Sequence, residues 1–192
     1  MTAHTAHPAP LLCTIGHSTY PLDTFIGLLQ ANEVTHVLDV RTVPRSRHNP
    51  QFGIEALPAS LRAAGIRYTH LPGLGGLRHA HADSPNGGWR NASFRGFADY
   101  MQTPEFAENV EQVIRLAVHE RCALMCAEAV PWRCHRSLIA DALTVRGMRV
   151  EDIIGPKARK PHRLTPWAHV DGLRITYPPE PVKTPTSTDM EH

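Results

Sequence analysis

The chain has 192 residues, of which 42% are hydrophobic and 20% charged, with 17 prolines and a net charge of +2. At about 150 residues per domain this predicts one compact domain with a tail, and the composition excludes collagen, coiled-coil and fully disordered architectures. A net charge so near zero excludes tight nucleic-acid binding driven by the whole-molecule field. Nowhere is there the run of about 18 apolar residues that a membrane span needs, and residues 1–10 lack the basic start of a secretory signal.

Short apolar runs alternate with helical periodicity, the pattern of strands and crossover helices around a mainly parallel sheet. Leu11 to Ile15 reads as a first strand, followed by Gly16-His17-Ser18 and a helix from Pro21 to near Asn32 carrying Leu22, Phe25, Ile26 and Leu29 on one face. Val34 to Val40 is a second strand, opening into an Arg- and Pro-rich loop, Arg41 to Phe52. A short helix near Pro58 to Ala64 stops at Gly65, and Ile66 to Leu71 is a third strand. The five glycines between Pro72 and Asn91 predict a long loop, and helices come next at Ser93–Met101 and from Thr103. Cys122 to Cys126 is a fourth strand, Arg136 to Arg146 a helix closed by Gly147, and Met148 to Ile154 a fifth strand. Beyond Pro156 the chain turns basic and Pro-rich. The expected architecture is α/β: a single three-layer domain over residues 11–177 with about five strands, long loops after strands two and three, a flexible 1–10 and a disordered tail at 178–192.

Ligands of an open parallel sheet bind beyond the carboxyl ends of its strands. There the chain delivers His17 and Ser18, Asp39 and Arg41, Tyr68 and His70, and Cys126 and Glu128. The densest stretch is Cys126-Ala-Glu128-Ala-Val-Pro-Trp-Arg133-Cys134-His135-Arg136, where a loop enters a helix and can attract an anion or depress a thiol pKa. It admits three readings: an oxyanion pocket, a nucleophilic thiolate at Cys126 or Cys134, or a soft-metal site using both with His135 or His17. The seven residues between the cysteines exceed the usual gap of about two to four between paired ligands, so no metal site is expected. Gly73-x-Gly75-Gly76 follows Pro72 and opens no helix directly, so it is not a dinucleotide fingerprint and no cofactor is expected. Several candidates also have a bland role: Cys126 as a small core residue, Glu128 as a helix cap or ion-pair partner, Asp39 as an internal partner for Arg41, Ser18 as a helix cap. Of 20 basic residues 17 are Arg, which suits oxyanions, although a GC-rich genome produces the same bias.

Ile15-Gly16-His17-Ser18, Asp39-Val40-Arg41 with Pro44 and Ser46, Tyr68-x-His70-Leu71-Pro72-x-Leu74-Gly75-Gly76, and Cys126-x-Glu128 with Cys134-His135-Arg136 together resemble the bacterial family catalogued as domain of unknown function 488. The resemblance runs from about Leu12 to Tyr177 and implies a cytoplasmic α/β domain whose activity has no settled assignment. A looser similarity, carried by Val37 to Arg41 and the Cys-bearing loop feeding Arg136-Ser137, is to rhodanese-like sulfurtransferases and cysteine phosphatases, in which the loop cysteine is the nucleophile and loop amides cradle the anion.

The expected function is an enzyme-like domain, a hydrolase or transferase, binding a nucleotide, phosphoester or nucleic-acid end. His17, Asp39, His70, Cys126, Glu128, Cys134 and His135 are the catalytic candidates, with Ser18, Tyr68, Arg41, Arg133 and Arg136 as ligand-binding groups. Two alternatives stand beside it: a thiol-dependent sulfurtransferase or phosphatase-like enzyme using Cys126 or Cys134, and a non-catalytic nucleic-acid-binding module using Arg41, Arg45, Arg47 and the basic segment 157–163. The partner is then a small phosphorylated ligand or nucleic acid, with no membrane; the sequence leaves oligomeric state open.

Overall fold

The computed structural model describes residues 10–180. Apart from Pro10 and residues 178–180, the terminal segments expected to be flexible lie outside the described residues. Five parallel strands form where the apolar runs sit: β1 (Leu11–Gly16), β2 (His36–Asp39), β3 (Arg67–His70), β4 (Cys122–Cys126) and β5 (Arg149–Gly155). Five helices alternate with them: α1 (Leu22–Ala31), α2 (Leu57–Ala63), α3 (Ala92–Tyr100), α4 (Pro104–His119) and α5 (Arg136–Val145). The sheet order is β3-β2-β4-β1-β5-β6, where β6 (Ala158–Pro161) runs antiparallel to β5. A small hairpin, β7 (His169–Asp171) and β8 (Arg174–Thr176), stands apart from the sheet. The architecture is thus the expected mainly parallel α/β one, extended by a sixth strand and a hairpin in the segment that reads only as basic and Pro-rich.

Period-two alternation divides the core into two layers. Along β4, Ala123 and Met125 face a cluster formed with Phe25 and Leu29 of α1 and Leu57 and Leu61 of α2. Cys122, Leu124 and Cys126 face the opposite cluster, with Phe97 of α3, Val110 and Val113 of α4, and Leu138 and Ile139 of α5. Local signals explain the helix ends. The Asn91 side chain accepts N–H bonds from Ser93 and Phe94 to start α3, and Thr103 accepts from Phe106 to start α4, with Pro104 in its first turn. After α2 and α5 the chain turns through Gly65 at φ 75° and Gly147 at φ 82°, left-handed positions that favour glycine. Among the described residues no helix is long and apolar enough to cross a membrane.

Chain direction places the crevice. From β1 the chain leaves into α1 on one face of the sheet; from the adjacent β4 it leaves into α5 on the other. Loops that part to opposite faces between neighbouring parallel strands open a gap at their carboxyl ends.

Candidate functional site

That gap is the mouth of a cleft of about 780 Å³. Its floor comes from the two diverging loops. The Gly16 backbone lies so close to the second loop that an added Cβ would meet Glu128 O at 1.9 Å, and His17 N and Ser18 N donate to Cys126 O and Ala127 O at 2.9 and 3.0 Å. His17, Ser18, Arg41, Cys126, Glu128, Arg133, Cys134 and His135 all line the cleft. Eight of the twelve sequence candidates thus converge from three strand ends and one helix start, while Asp39, Tyr68, His70 and Arg136 do not line the cleft.

Asp39, fully buried, organises the β2 end. Arg41 Nε donates to its Oδ1 at 2.9 Å and Nη2 to its Oδ2 at 2.6 Å, while the Tyr68 hydroxyl donates to Oδ2 at 2.7 Å. Arg41 Nη2 also donates to Phe52 O, and Nη1 to His17 Nε2 at 3.2 Å. Four of its five N–H groups are thereby committed, leaving one Nη1 N–H uncommitted among the described residues. His17 is held as a neutral ring: Nδ1–H donates to Ser18 O at 2.9 Å, which leaves Nε2 to accept from Arg41, and the ring stacks on Phe52 at 4.2 Å. Burial, reinforced by the Arg41 charge, lowers its pKa to about 4.

Tyr68 and His70 do not line the cleft. Tyr68 serves Asp39, and burial followed by the Asp39 hydrogen bond pushes its phenol well up. His70 Nε2–H donates to Arg41 O at 2.8 Å, fixing the backbone of the loop that carries Arg41. The Glu128 carboxylate is exposed and accepts from Val130 N at 3.2 Å, a local turn bond and not the helix cap or ion pair of its bland reading. Arg136 does not line the cleft either.

At 1% exposure Arg136 lies beneath the β4–α5 loop, where Nη1 donates to Cys126 Sγ and Glu128 O, Nη2 to Ala129 O, and Nε to Thr14 Oγ1. The loop therefore turns two carbonyls inward to this guanidinium. Among the described residues Arg136 has no carboxylate ion-pair partner; Asp152 is reached only through the Thr14 hydroxyl. Cys134 Sγ–H donates to Cys126 Sγ at 2.8 Å, and all four cysteines are free thiols. Burial pushes the Cys126 thiol up, but the Cys134 hydrogen bond and the Arg136 charge outweigh it and bring the pKa down to about 7. Cys134 is correspondingly pushed far up, since it holds the proton on which its partner's charge depends.

His135 completes the cluster. Its Nε2–H donates to Val40 O at 3.0 Å, so Nδ1 carries the lone pair, 3.6 Å from Cys134 Sγ. The close pass of Gly76 presses on this ring: a Cβ there would meet Nδ1 at 2.5 Å. Burial lowers the pKa of His135, which keeps it an unprotonated base at neutral pH.

Several cleft residues escape sequence reasoning. Thr42 and Asn49 from the loop after β2, and Asn91 and Ser93 from the start of α3, are brought to the rim by the fold, and of these only Asn91 carries a local signal, as the cap of α3. The Thr14–Asp152 relay under Arg136 has none, because both lie within strands. Three arginines, Arg41, Arg45 and Arg133, line the cleft against one carboxylate, Glu128. Arg47, Lys157, Lys160 and Arg163 lie outside it; Lys160 belongs to the edge strand β6, where charge discourages pairing with another sheet.

Comparison with known proteins gives one match. The family model described as Domain of unknown function DUF488 matches residues 21–143. No curated protein and no solved structure matches. The matched span holds Asp39, Arg41 and the whole Cys126–Arg136 loop, while His17 and Ser18 precede it. The looser likeness to rhodaneses and cysteine phosphatases has no support of this kind.

Proposed function

The chain belongs to the family described as Domain of unknown function DUF488, and we propose that within it this protein is a thiol-dependent enzyme whose nucleophile is the Cys126 thiolate and whose substrate bears an oxyanion. The observation that carries the reading is the buried Arg136. A guanidinium out of water and without a counter-charge costs several kcal/mol, of the order of 3 to 5. Among the described residues the group in direct contact that can carry the opposite charge is the sulfur it donates to, Asp152 being reached only through the Thr14 hydroxyl, so the buried cation and the thiolate stabilise each other. Cys126, 2% exposed, is among the residues that line the cleft, which supports its approach by a bound ligand. Arg45 and Arg133 against one glutamate favour an anionic substrate, and Arg41, its charge paired with Asp39, still offers it a donor through the uncommitted Nη1 N–H. In the reaction, Cys126 Sγ attacks the electrophilic atom of the bound group, the leaving group departs with the bonding pair, and a covalent Cys126 intermediate is discharged in a second step.

The test is the pH dependence of alkylation by iodoacetamide, followed residue by residue by mass spectrometry. Cys126 reactivity should rise with a midpoint near its pKa of about 7, while Cys122, pushed up to about 12 by burial, stays unreactive across the range. A Cys126 midpoint at or above the ordinary thiol value of about 8.5 removes the proposal.

A further inference from the structure

A nucleophilic cysteine does not need a second thiol in contact with it, and for transfer of a phosphoryl or acyl group such a neighbour is idle, because the electrophilic centre of those intermediates is not sulfur. A thiol at 2.8 Å is useful when the intermediate's electrophile is Cys126 Sγ itself. We propose that Cys134 is the resolving thiol of Cys126, and that the cleft carries out thiol–disulfide exchange on small disulfides bearing carboxylates. The inference rests on the reading of Cys126 as nucleophile and adds to it the substrate class and the second step.

The surroundings of Cys134 suit that step. Its proton lies toward Cys126 Sγ while Cys126 is anionic, and His135 Nδ1, a lone pair whose ring is fixed through Nε2 on Val40 O, waits 3.6 Å from the same sulfur. Arg136 N–H at the start of α5 donates to Cys134 Sγ at 3.5 Å, so the negative charge that develops there meets the positive end of a ten-residue helix. Cys126 and Cys134, at 2% and 6% exposure, line the cleft, whereas Cys13 and Cys122, also buried, do not. Arg45 and Arg133 on its walls are placed to hold substrate carboxylates, and about 780 Å³ admits a tripeptide-sized half-molecule.

The chemistry balances within the pair. Cys126 S⁻ attacks one sulfur of R–S–S–R; the new Cys126–S–S–R bond forms, the old S–S bond breaks, and RS⁻ leaves with its electrons. Cys126 has then lost the charge that held the Cys134 proton, so the proton passes to His135 Nδ1. Cys134 S⁻ attacks Cys126 Sγ, the Cys126–Cys134 disulfide forms, and the second RS⁻ leaves and collects the proton from His135. The protein dithiol is oxidised by two electrons and the substrate disulfide is reduced to two thiols. A different pair of small thiols reverses the sequence and returns the dithiol, so the net reaction is exchange between thiol pools.

The experiment treats the reduced full chain with oxidised glutathione at pH 7, quenches in acid and reads intact mass and peptide maps. Wild type should lose two hydrogens by joining Cys126 to Cys134, with no lasting glutathionyl adduct. Cys134→Ser should trap one glutathionyl group on Cys126 that persists about tenfold longer or more, since it lacks the intramolecular attacker. Cys126→Ser should do neither. A wild type that keeps the adduct as long as Cys134→Ser, or that joins no Cys126–Cys134 bond, overturns the inference; if Cys126 still alkylates with a midpoint near 7, its role as nucleophile stands alone. A Cys126 inert to both reagents overturns both. Circular dichroism of the two serine variants, which differ from wild type by one atom, confirms that each reading comes from a folded chain.

Discussion

An imidazole that is stacked, hydrogen-bonded at both nitrogens and buried has little tolerance for a second proton. His17 meets all three conditions, at 2% exposure between Phe52, Ser18 O and Arg41, and its pKa falls from 6.5 to about 4. The unfolded chain takes up a proton below pH 6.5 that the fold refuses until about pH 4. The stabilising contribution of the neutral ring is therefore complete above 6.5 and is lost as pH falls from 6.5 through about 4. With partial solvent screening this amounts to about 2 kcal/mol. His17→Gln should flatten urea stability between pH 7 and 4.5 by about that amount, leaving the slope due to His36 and His135, which burial also lowers. An unchanged slope would show that the His17 environment admits the proton freely. At this scale the sequence reveals which residues meet but not which way they face. Strand-end position was enough to gather His17, Asp39, Arg41 and Cys126, because it follows from topology. It could not show that Arg136 points under the loop or that Tyr68 and His70, sharing one face of β3, serve Asp39 and Arg41 from behind the cleft.

Elements are legible where periodicity is long and punctuated. The apolar stripe of α1, the start of α4 at Thr103 and the glycines after α2 and α5 fall where sequence patterns place them, whereas β6 reads Ala158-Arg-Lys-Pro161, with little apolar surface to announce it, and β7 and β8 have three residues each. The long segment between β3 and α3 is a different case: glycine content marks it as a loop but hides what orders it. Asp99, on α3, accepts from His81 N at 2.8 Å, from Ser84 Oγ, and from Asn86 Nδ2 at 2.7 Å. Burial would raise its pKa, but these donors outweigh burial and lower it, so the contribution is present above about pH 4 and fades as pH falls through its folded value. Asp99→Ala leaves three donors without an acceptor and should cost about 3 kcal/mol. Because Gly76 and Leu77 of the same loop line the cleft, limited proteolysis should cut residues 77–90 several times faster in this variant while the sheet resists. Equal cleavage rates would show that the loop is ordered by other contacts.

Over the whole molecule one carboxylate ties the family-matched region to the segment C-terminal to it. The match ends at residue 143, yet Asp141 on α5, fully buried, accepts bonds from residues well beyond: His162 Nε2 at 2.7 Å, Thr165 N at 3.1 Å, Thr165 Oγ1 at 2.7 Å and the Tyr177 hydroxyl at 2.9 Å. Tyr177 is itself fully buried, packs edge-on to Trp89 and donates its N–H to Asn86 Oδ1, so the same segment also reaches the loop that Asp99 holds. A carboxylate with four donors is stable in a dry interior; the same donors without it are not, and its removal should cost about 3 to 5 kcal/mol. At about 2 to 4 °C per kcal/mol for a chain of this size, Asp141→Ala should lower Tm by about 10 °C, while Tyr177→Phe, which deletes one donor and keeps the ring, should lower it by only about 3 °C. Thermal unfolding followed by circular dichroism and by tryptophan fluorescence separates the two effects, because Trp89 and Trp167 sit against each other in this region. In Asp141→Ala the fluorescence change should precede the loss of secondary structure, as residues 162–177 release from α5 before the sheet melts; coincident transitions at the wild-type temperature would mean that the segment is held by its apolar packing and not by the buried carboxylate.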